Sequence, residues 1–338
     1  MKRELEILRS IDHPKIAKFY ECYQDEKNFH FVIEYCGGES LVDKIIKDKF
    51  IKENKVKRIF YDILRAVNHL HHRGICHRDL KPDNFIFSDK DDKSPLKMID
   101  FGLSKNYLSE ELNSLVGTPY YVAPELFSKQ YDHRCDYWSL GCILYIMLVG
   151  KPPFYAKTDE LIFQKIAKVE YNFDDERWKS ISPEARILIS KFLKGDPKKR
   201  LTAAEALNDP WFEDVNRQNH SVSESLVNKG VVRRLKEFRT GSDFQKEVIK
   251  LMVNIFDYKD EIQRLRHVFH YADYLNNGTI NQEEMKVFFE QVGVPTSEKQ
   301  ISEIISSMHL REKGLITYSE FIAATVDREF YENDENLE

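Results

Sequence analysis

Hydrophobic and polar positions alternate in three rhythms along the chain. In residues 2–11, Leu5, Leu8 and Ile11 recur at helical spacing until Asp12-His13-Pro14 stops the pattern, which predicts a short helix with one buried stripe. Residues 16–23 and 29–35 are apolar-rich and flank the polar Gln24-Asp25-Glu26-Lys27-Asn28, so a hairpin is expected before Gly37-Gly38 breaks the chain. Over residues 52–72, Ile59, Phe60, Ile63, Leu64, Val67 and Leu70 recur at intervals of three and four, the signature of a long amphipathic helix. Phe85-Ile86-Phe87 and Leu96-Lys97-Met98-Ile99 read as short strands on either side of a polar turn. The apolar run 142–149 behind Leu140 and Gly141 falls well short of the ~20 residues that span a bilayer and predicts a buried helix. Residues 213–229 turn polar and read as a linker. Beyond it Val231, Leu235 and Phe238, then Phe244, Val248, Leu251 and Ile255, fall at helical spacing, with Arg233, Arg234, Lys236 and Arg239 on other faces. Such a basic amphipathic region is compatible with plain core, with a membrane-surface helix or with a segment gripped by another module.

Composition narrows the setting. At 338 residues the chain has room for two or three domains, and its 42% hydrophobic and 32% charged content is that of globular protein. A net charge of -5 argues against general affinity for nucleic acid, and no basic run is long enough for a membrane patch. Five cysteines form neither a C-x-x-C pair nor an even framework, which favours a reducing, cytoplasmic compartment.

Chemistry concentrates in His77-Arg78-Asp79-Leu80-Lys81-Pro82-Asp83-Asn84. This is similar to the catalytic loop of a protein kinase, and the resemblance extends through Asp100-Phe101-Gly102, Gly117-Thr118-Pro119 with Ala123-Pro124-Glu125, Asp136-Tyr137-Trp138, and Arg200 as a partner for Glu125. It implies a kinase C-lobe complete to about Phe212, which uses ATP and Mg2+. Asp79 would then accept the proton of a substrate hydroxyl, Lys81 would place a cation beside the phosphate, and Asn84 and Asp100 would hold magnesium. It also implies that Glu4 sits on the small-lobe helix beside the phosphates, that Leu8 lies beneath Phe101, and that Ile33 is the gatekeeper. Glu34 and Cys36, with Ile86, would contact the nucleotide. Glu39 and Asp83 match positions that select arginine in basophilic members. Ser114, with Ser104 and Ser109 as competing loop serines, and Thr118 belong to the activation segment, where Arg78 would meet an added phosphate. No Gly-rich loop or strand lysine precedes Glu4, so the nucleotide site is expected to lack its roof.

A different pattern follows the amphipathic region. Asp273 to Glu284 fits a 12-residue EF-hand loop, with Asp273, Asn277, Thr279 and Glu284 at ligand positions 1, 5, 7 and 12 and Leu275 in place of an oxygen at position 3. A second loop keeps Gly314, Ile316 and Glu320 in register but carries His309, Arg311 and Lys313 at positions 1, 3 and 5, so it is expected to be silent towards calcium. Kinase lobe, basic helix and hands in that order resemble calcium-dependent protein kinases of the plant and protozoan type, here with two hands where that family normally has four. The resemblance implies a mainly α (α+β) fold with units at 1–36, 37–213, 214–230, 231–256 and 257–338: partial N-lobe, C-lobe, linker, autoinhibitory junction helix and EF-hand pair. It implies ATP, Mg2+ and Ca2+ as cofactors, protein substrates as partners, and docking of the junction helix on the kinase lobe or the hands. The alternative function is a non-catalytic regulatory or scaffold protein with a calcium-binding module.

Overall fold

The computed structural model describes residues 2–91, 94–114, 116–128, 130–238, 242–255, 260–308, 314–327 and 330. The chain divides into two compact units, Met1–Ile11 with Lys15–Val215, and Asp12–Pro14 with Asn216–Glu338.

In the first unit α1 (Lys2–Ser10) precedes an antiparallel hairpin of β1 (Phe19–Gln24) and β2 (Phe29–Ile33), in which Tyr23 faces His30. α1 buries Ile7, with Leu8 and Ile11 packed partly beside it, so the inward stripe runs through Ile7 in place of Leu5. α2 (Leu41–Asp48) is capped by Ser40, whose hydroxyl accepts from the Asp43 N–H. The long α3 (Glu53–His72) delivers the chain to β3 (Ile75–Cys76) and the loop at His77. β4 (Phe85–Phe87) and β5 (Leu96–Met98) form a two-stranded ribbon, and β6 (Lys105–Asn106) pairs with β3.

α4 (Cys135–Val149) is buried on every face, as the unbroken apolar run requires. α6 (Pro183–Phe192) packs against α4 and α7 (Ala203–Leu207) against α3, and these two and α5 (Asp159–Lys168) are each started by a Ser or Thr cap. Arg200 joins these layers. Its guanidinium grips Glu125 through two bonds of 2.6 and 2.7 Å, donates to the Arg134 carbonyl, and lies 5.1 Å from the Trp138 ring.

The segment expected as a linker is helical: α8 spans Glu213–Leu226. It contains no Gly or Pro, so its polar side chains do not interrupt a helix. The single junction helix expected over 231–256 is two, α9 (Lys229–Phe238) and α10 (Asp243–Ile255). Gly241, which lies outside the described residues, falls between them in the sequence. In the second unit α11 (Asp260–Ala272), β7 (Thr279–Ile280) and α12 (Gln282–Gln291) make one helix-loop-helix. α13 (Glu298–Met308), β8 (Ile316–Thr317) and α14 (Tyr318–Thr325) make a second. β7 and β8 pair antiparallel, Ile280 opposite Ile316, which ties the loops together at position 8 of each. Phe269, Phe288 and Phe321 meet edge to face in the shared core. α9 and α10 pack against α14.

The Arg200–Glu125 bond is a buried ion pair whose guanidinium is shielded from solvent. Arg200→Met should therefore lower the unfolding free energy by roughly 3–5 kcal/mol, the cost of stranding a buried charge, and urea denaturation followed by tryptophan fluorescence measures it.

Candidate functional site

The loop from His77 to Asn84 is fastened from beneath. Asp136, 1% exposed at the start of α4, takes the His77 N–H at 2.8 Å and the Arg78 N–H at 2.9 Å, and its Oδ2 also contacts His71 Nε2 at 2.8 Å. Burial alone would raise the Asp136 carboxyl, but the hydrogen bond and charge of His71 and the N–H of His77 outweigh it and hold it below the ordinary carboxylate range. These bonds fix Arg78 at φ +70°, a left-handed conformation that a non-glycine residue adopts only under constraint. Asp100, at φ +64°, shares that constraint, and its Oδ1 accepts the Gly102 N–H at 3.1 Å.

With the backbone so held, Asp79 Oδ2 meets Lys81 Nζ at 2.7 Å and its Oδ1 accepts the Thr118 hydroxyl at 3.0 Å. Lys81 Nζ also lies 3.3 Å from Thr118 Oγ1, closing a triangle of carboxylate, ammonium and hydroxyl. Gly117 permits this approach: at φ +107° it passes so near the loop that a Cβ would lie 3.0 Å from the Arg78 carbonyl. Asn84 is buried and its Nδ2 donates to the Asp79 carbonyl at 2.8 Å, so the remaining polar atom of its side chain is an oxygen. That oxygen and the exposed Asp100 carboxylate suit a hard cation such as magnesium. Phe101 is buried against the His77 ring at 5.4 Å, with Leu8 packed on the same core.

The residues expected at the nucleotide base divide into two groups. Glu34 is joined to Lys97 at 2.8 Å, accepts from the Lys18 N–H, and donates its own N–H to the Lys18 carbonyl. Cys36 is half-buried and its thiol is pushed up to about 11, first by burial and then by Glu34, so it is an un-ionised neighbour rather than a nucleophile. Ile86 faces Lys97 in the ribbon. Glu4 stands on α1 with its carboxylate 3.9 Å from the position a Gly102 side chain would take, beside Asp100. Ile33, the expected gatekeeper, is 47% exposed.

Two sequence expectations shift, at Ser104 and at Glu39. Ser104 is buried and donates to the His77 carbonyl at 3.4 Å, so it is no exposed competitor for modification. Ser114 Oγ accepts from Arg78 Nη1 at 3.0 Å, and Tyr131 closes the same cluster at 3.3 Å. Glu39 is already paired with Lys44 at 3.2 Å and Lys47 at 3.4 Å, which weakens it as an acceptor of substrate arginine, whereas Asp83 is exposed. The roles of Asp136 and His71 escaped the sequence reading, although a lone carboxylate in an otherwise apolar buried helix is a signal for such an anchor.

The first hand is held by bonds within its own loop. Asp273 Oδ1 and Oδ2 accept the N–H groups of Asn277 and Gly278, each at 2.9 Å, and Asn277 Oδ1 accepts both N–H and hydroxyl of Thr279. Asn276 at φ +54° and Gly278 at φ +77° turn the loop inward. Glu284 has no exposed surface. Its oxygens are held by neutral donors, the N–H groups of Leu275 at 3.2 Å and Asn281 at 3.0 Å, and burial raises its carboxyl above the ordinary range. Two fully buried carboxylates, Asp273 and Glu284, with the side-chain oxygens of Asn277 and Thr279 on the same loop, fit a calcium ion, with Leu275 contributing no side-chain oxygen. In the second hand His309, Arg311 and Lys313 lie outside the described residues.

Residues 1–212 match the model of the protein kinase domain, and residues 262–326 match that of the EF-hand domain pair. The chain belongs to the protein kinase family. It is 37% identical over its whole length to calcium-dependent protein kinase 33 of Arabidopsis thaliana, and 36% identical to calcium-dependent protein kinase 19 of Oryza sativa subsp. japonica, covering 64% and 62% of those proteins. Calcium-dependent protein kinase 3 of Plasmodium yoelii yoelii is 36% identical over 97% of the chain, which covers 60% of it. The chain thus spans just under two thirds of the length of these relatives. The kinase domain implies ATP and Mg2+, and the hands imply Ca2+. Among the described residues no helix is long and apolar enough to cross a membrane.

Asp136→Asn should destabilise the protein by about 2 kcal/mol, because bonds to an anion become weaker neutral ones around buried donors. The sign with pH follows from its lowered pKa: the carboxylate's contribution is complete above the unfolded-state value and is lost as pH falls through the folded-state value. Thermal melts between pH 3 and 7 should therefore show a shallower acid limb for the variant.

Proposed function

We propose that this protein is a calcium-regulated serine/threonine protein kinase. The observation that carries the reading is the triangle of Asp79, Lys81 and Thr118, set beside Asn84 and Asp100. Asp79 accepts the proton of a substrate hydroxyl through the carboxylate that Thr118 and Lys81 orient. Lys81 then places its ammonium where charge develops on the transferred group. Asn84 and Asp100 would hold magnesium, which neutralises the phosphates of ATP when bound. The Glu34 carbonyl and the Cys36 N–H, near Ile86, would receive the adenine, and Glu4 would complete the phosphate side. Phosphate on Ser114 would lie against Arg78, already its hydrogen-bond partner, and draw the activation segment onto the catalytic loop.

Calcium control rests on the first hand and on α9 and α10. The apolar stripe of α10, Phe244, Val248, Leu251 and Ile255, is exposed at 38–79%. Such a stripe suits a segment that docks on the kinase lobe at rest and is withdrawn when Asp273, Asn277, Thr279 and Glu284 bind calcium. The substrates are proteins, and the setting is cytoplasmic.

The protein should transfer phosphate from ATP to a serine peptide, and Asp79→Asn should lower kcat by roughly 10²–10⁴-fold. Chelation of calcium, or Glu284→Gln, should suppress the calcium-stimulated part of the rate. A rate indifferent to both would remove calcium from the account while leaving the kinase assignment intact.

A further inference from the structure

The two position-12 glutamates of the hand pair are equally buried but differently partnered. Glu284 in the first hand has no exposed surface and is held by neutral N–H groups, whereas Glu320 in the second, 4% exposed, has Lys250 Nζ at 3.5 Å from its Oε1. The other oxygen of Glu320 accepts the Thr317 N–H at 2.9 Å in the capping box that starts α14. Lys250 comes from α10, with its side chain only 15% exposed. One turn earlier Lys246, 6% exposed, donates to the Ser307 carbonyl at 2.8 Å, in the last turn of α13. Two ammonium groups spaced i, i+4 on one face of α10 therefore meet both flanks of the second loop: the closing turn of its entering helix and the position-12 carboxylate of its leaving helix.

The sequence of that loop gives this placement a meaning. His309, Arg311 and Lys313 stand where calcium ligands belong, so calcium has few oxygens to bind and Glu320 has no ion to neutralise it. We propose that α10 supplies the missing cation: Lys250, supported by Lys246, stands in for calcium at the second hand and latches α10 onto the hand pair without calcium. This accounts for the inverted amphipathicity of α10. Its lysine face, with Val253 buried in the core of the second unit and Ile249 packed against that core, is turned inward, while the apolar stripe through Phe244 and Leu251 is left outward. The latch makes the second hand a permanent receptor for α10 and confines calcium response to the first. It rests on the hand pair alone and stands whether or not the kinase reading does.

The test is a double-mutant cycle of Lys250→Met and Glu320→Gln in the full chain, read by hydrogen–deuterium exchange of α10 amides in calcium-free buffer. Methionine keeps the length of the stem without its charge, and glutamine keeps the acceptor that caps α14, so far-UV circular dichroism should show the helices retained. Each single variant should accelerate α10 exchange by roughly three- to tenfold, and the double should exceed neither single, as for partners in one partly buried pair. Glu284→Gln should leave α10 exchange unchanged in the same buffer. Unchanged exchange in both singles, or effects that simply add, would overturn the latch. Should Lys250→Met fail to fold, Glu320→Gln alone, read against Glu284→Gln, still decides: acceleration specific to Glu320 supports the latch, and equal behaviour of the two glutamines refutes it.

Discussion

One buried carboxylate organises the catalytic half of this protein. Asp136 has given up water for the N–H groups of His77 and Arg78 and for the His71 ring, and an anion in that position is tolerated only because every bond is made. The bonds hold Arg78 in a left-handed conformation worth of order 1–3 kcal/mol of strain. From that kink follow the direction of Asp79, its contact with Lys81, and the reach of the Arg78 guanidinium to Ser114, Leu103 and Tyr131. Anchor, strained backbone and the segment carrying Ser114 are thus one connected structure, and a change at α4 would be felt at Ser114.

Much of this was legible in the sequence because helical period and motif order are local properties. The helix over 53–72, the strands at 85–87 and 96–98, and the wholly buried α4 follow from spacing alone, and the order of His77-Arg78-Asp79, Asp100-Phe101-Gly102 and Ala123-Pro124-Glu125 identifies the lobe. Spacing says nothing about which of several polar groups will be neighbours in space. His71 and Asp136 are 65 residues apart, and nothing local links them. The same limit governs Ser104, which looks like an exposed loop serine and is instead folded beneath the His77 carbonyl. Polarity did not reveal the helix at 213–226, which contains no Gly or Pro.

The hands show how two copies of one pattern diverge under different local charge. In the first, the partners of Glu284 among the described residues are neutral N–H groups, and burial raises its carboxyl. In the second, a lysine from α10 reaches the equivalent glutamate. A sequence pattern records that ligands are missing from the second loop but not where the replacing charge comes from, since the replacement lies 70 residues upstream on a helix whose apolar stripe suggests the opposite face would be buried.

The central claim is that the loop held by Asp136 forms a metal–nucleotide site with Asn84 and Asp100 at its focus. Paramagnetic broadening on adding Mn2+ with a non-hydrolysable ATP analogue to the isotope-labelled protein tests this most directly. The account predicts loss of amide signals centred on Asn84 and Asp100, abolished together by Asp100→Asn; broadening centred elsewhere in the kinase unit, or none at saturating nucleotide, would contradict it.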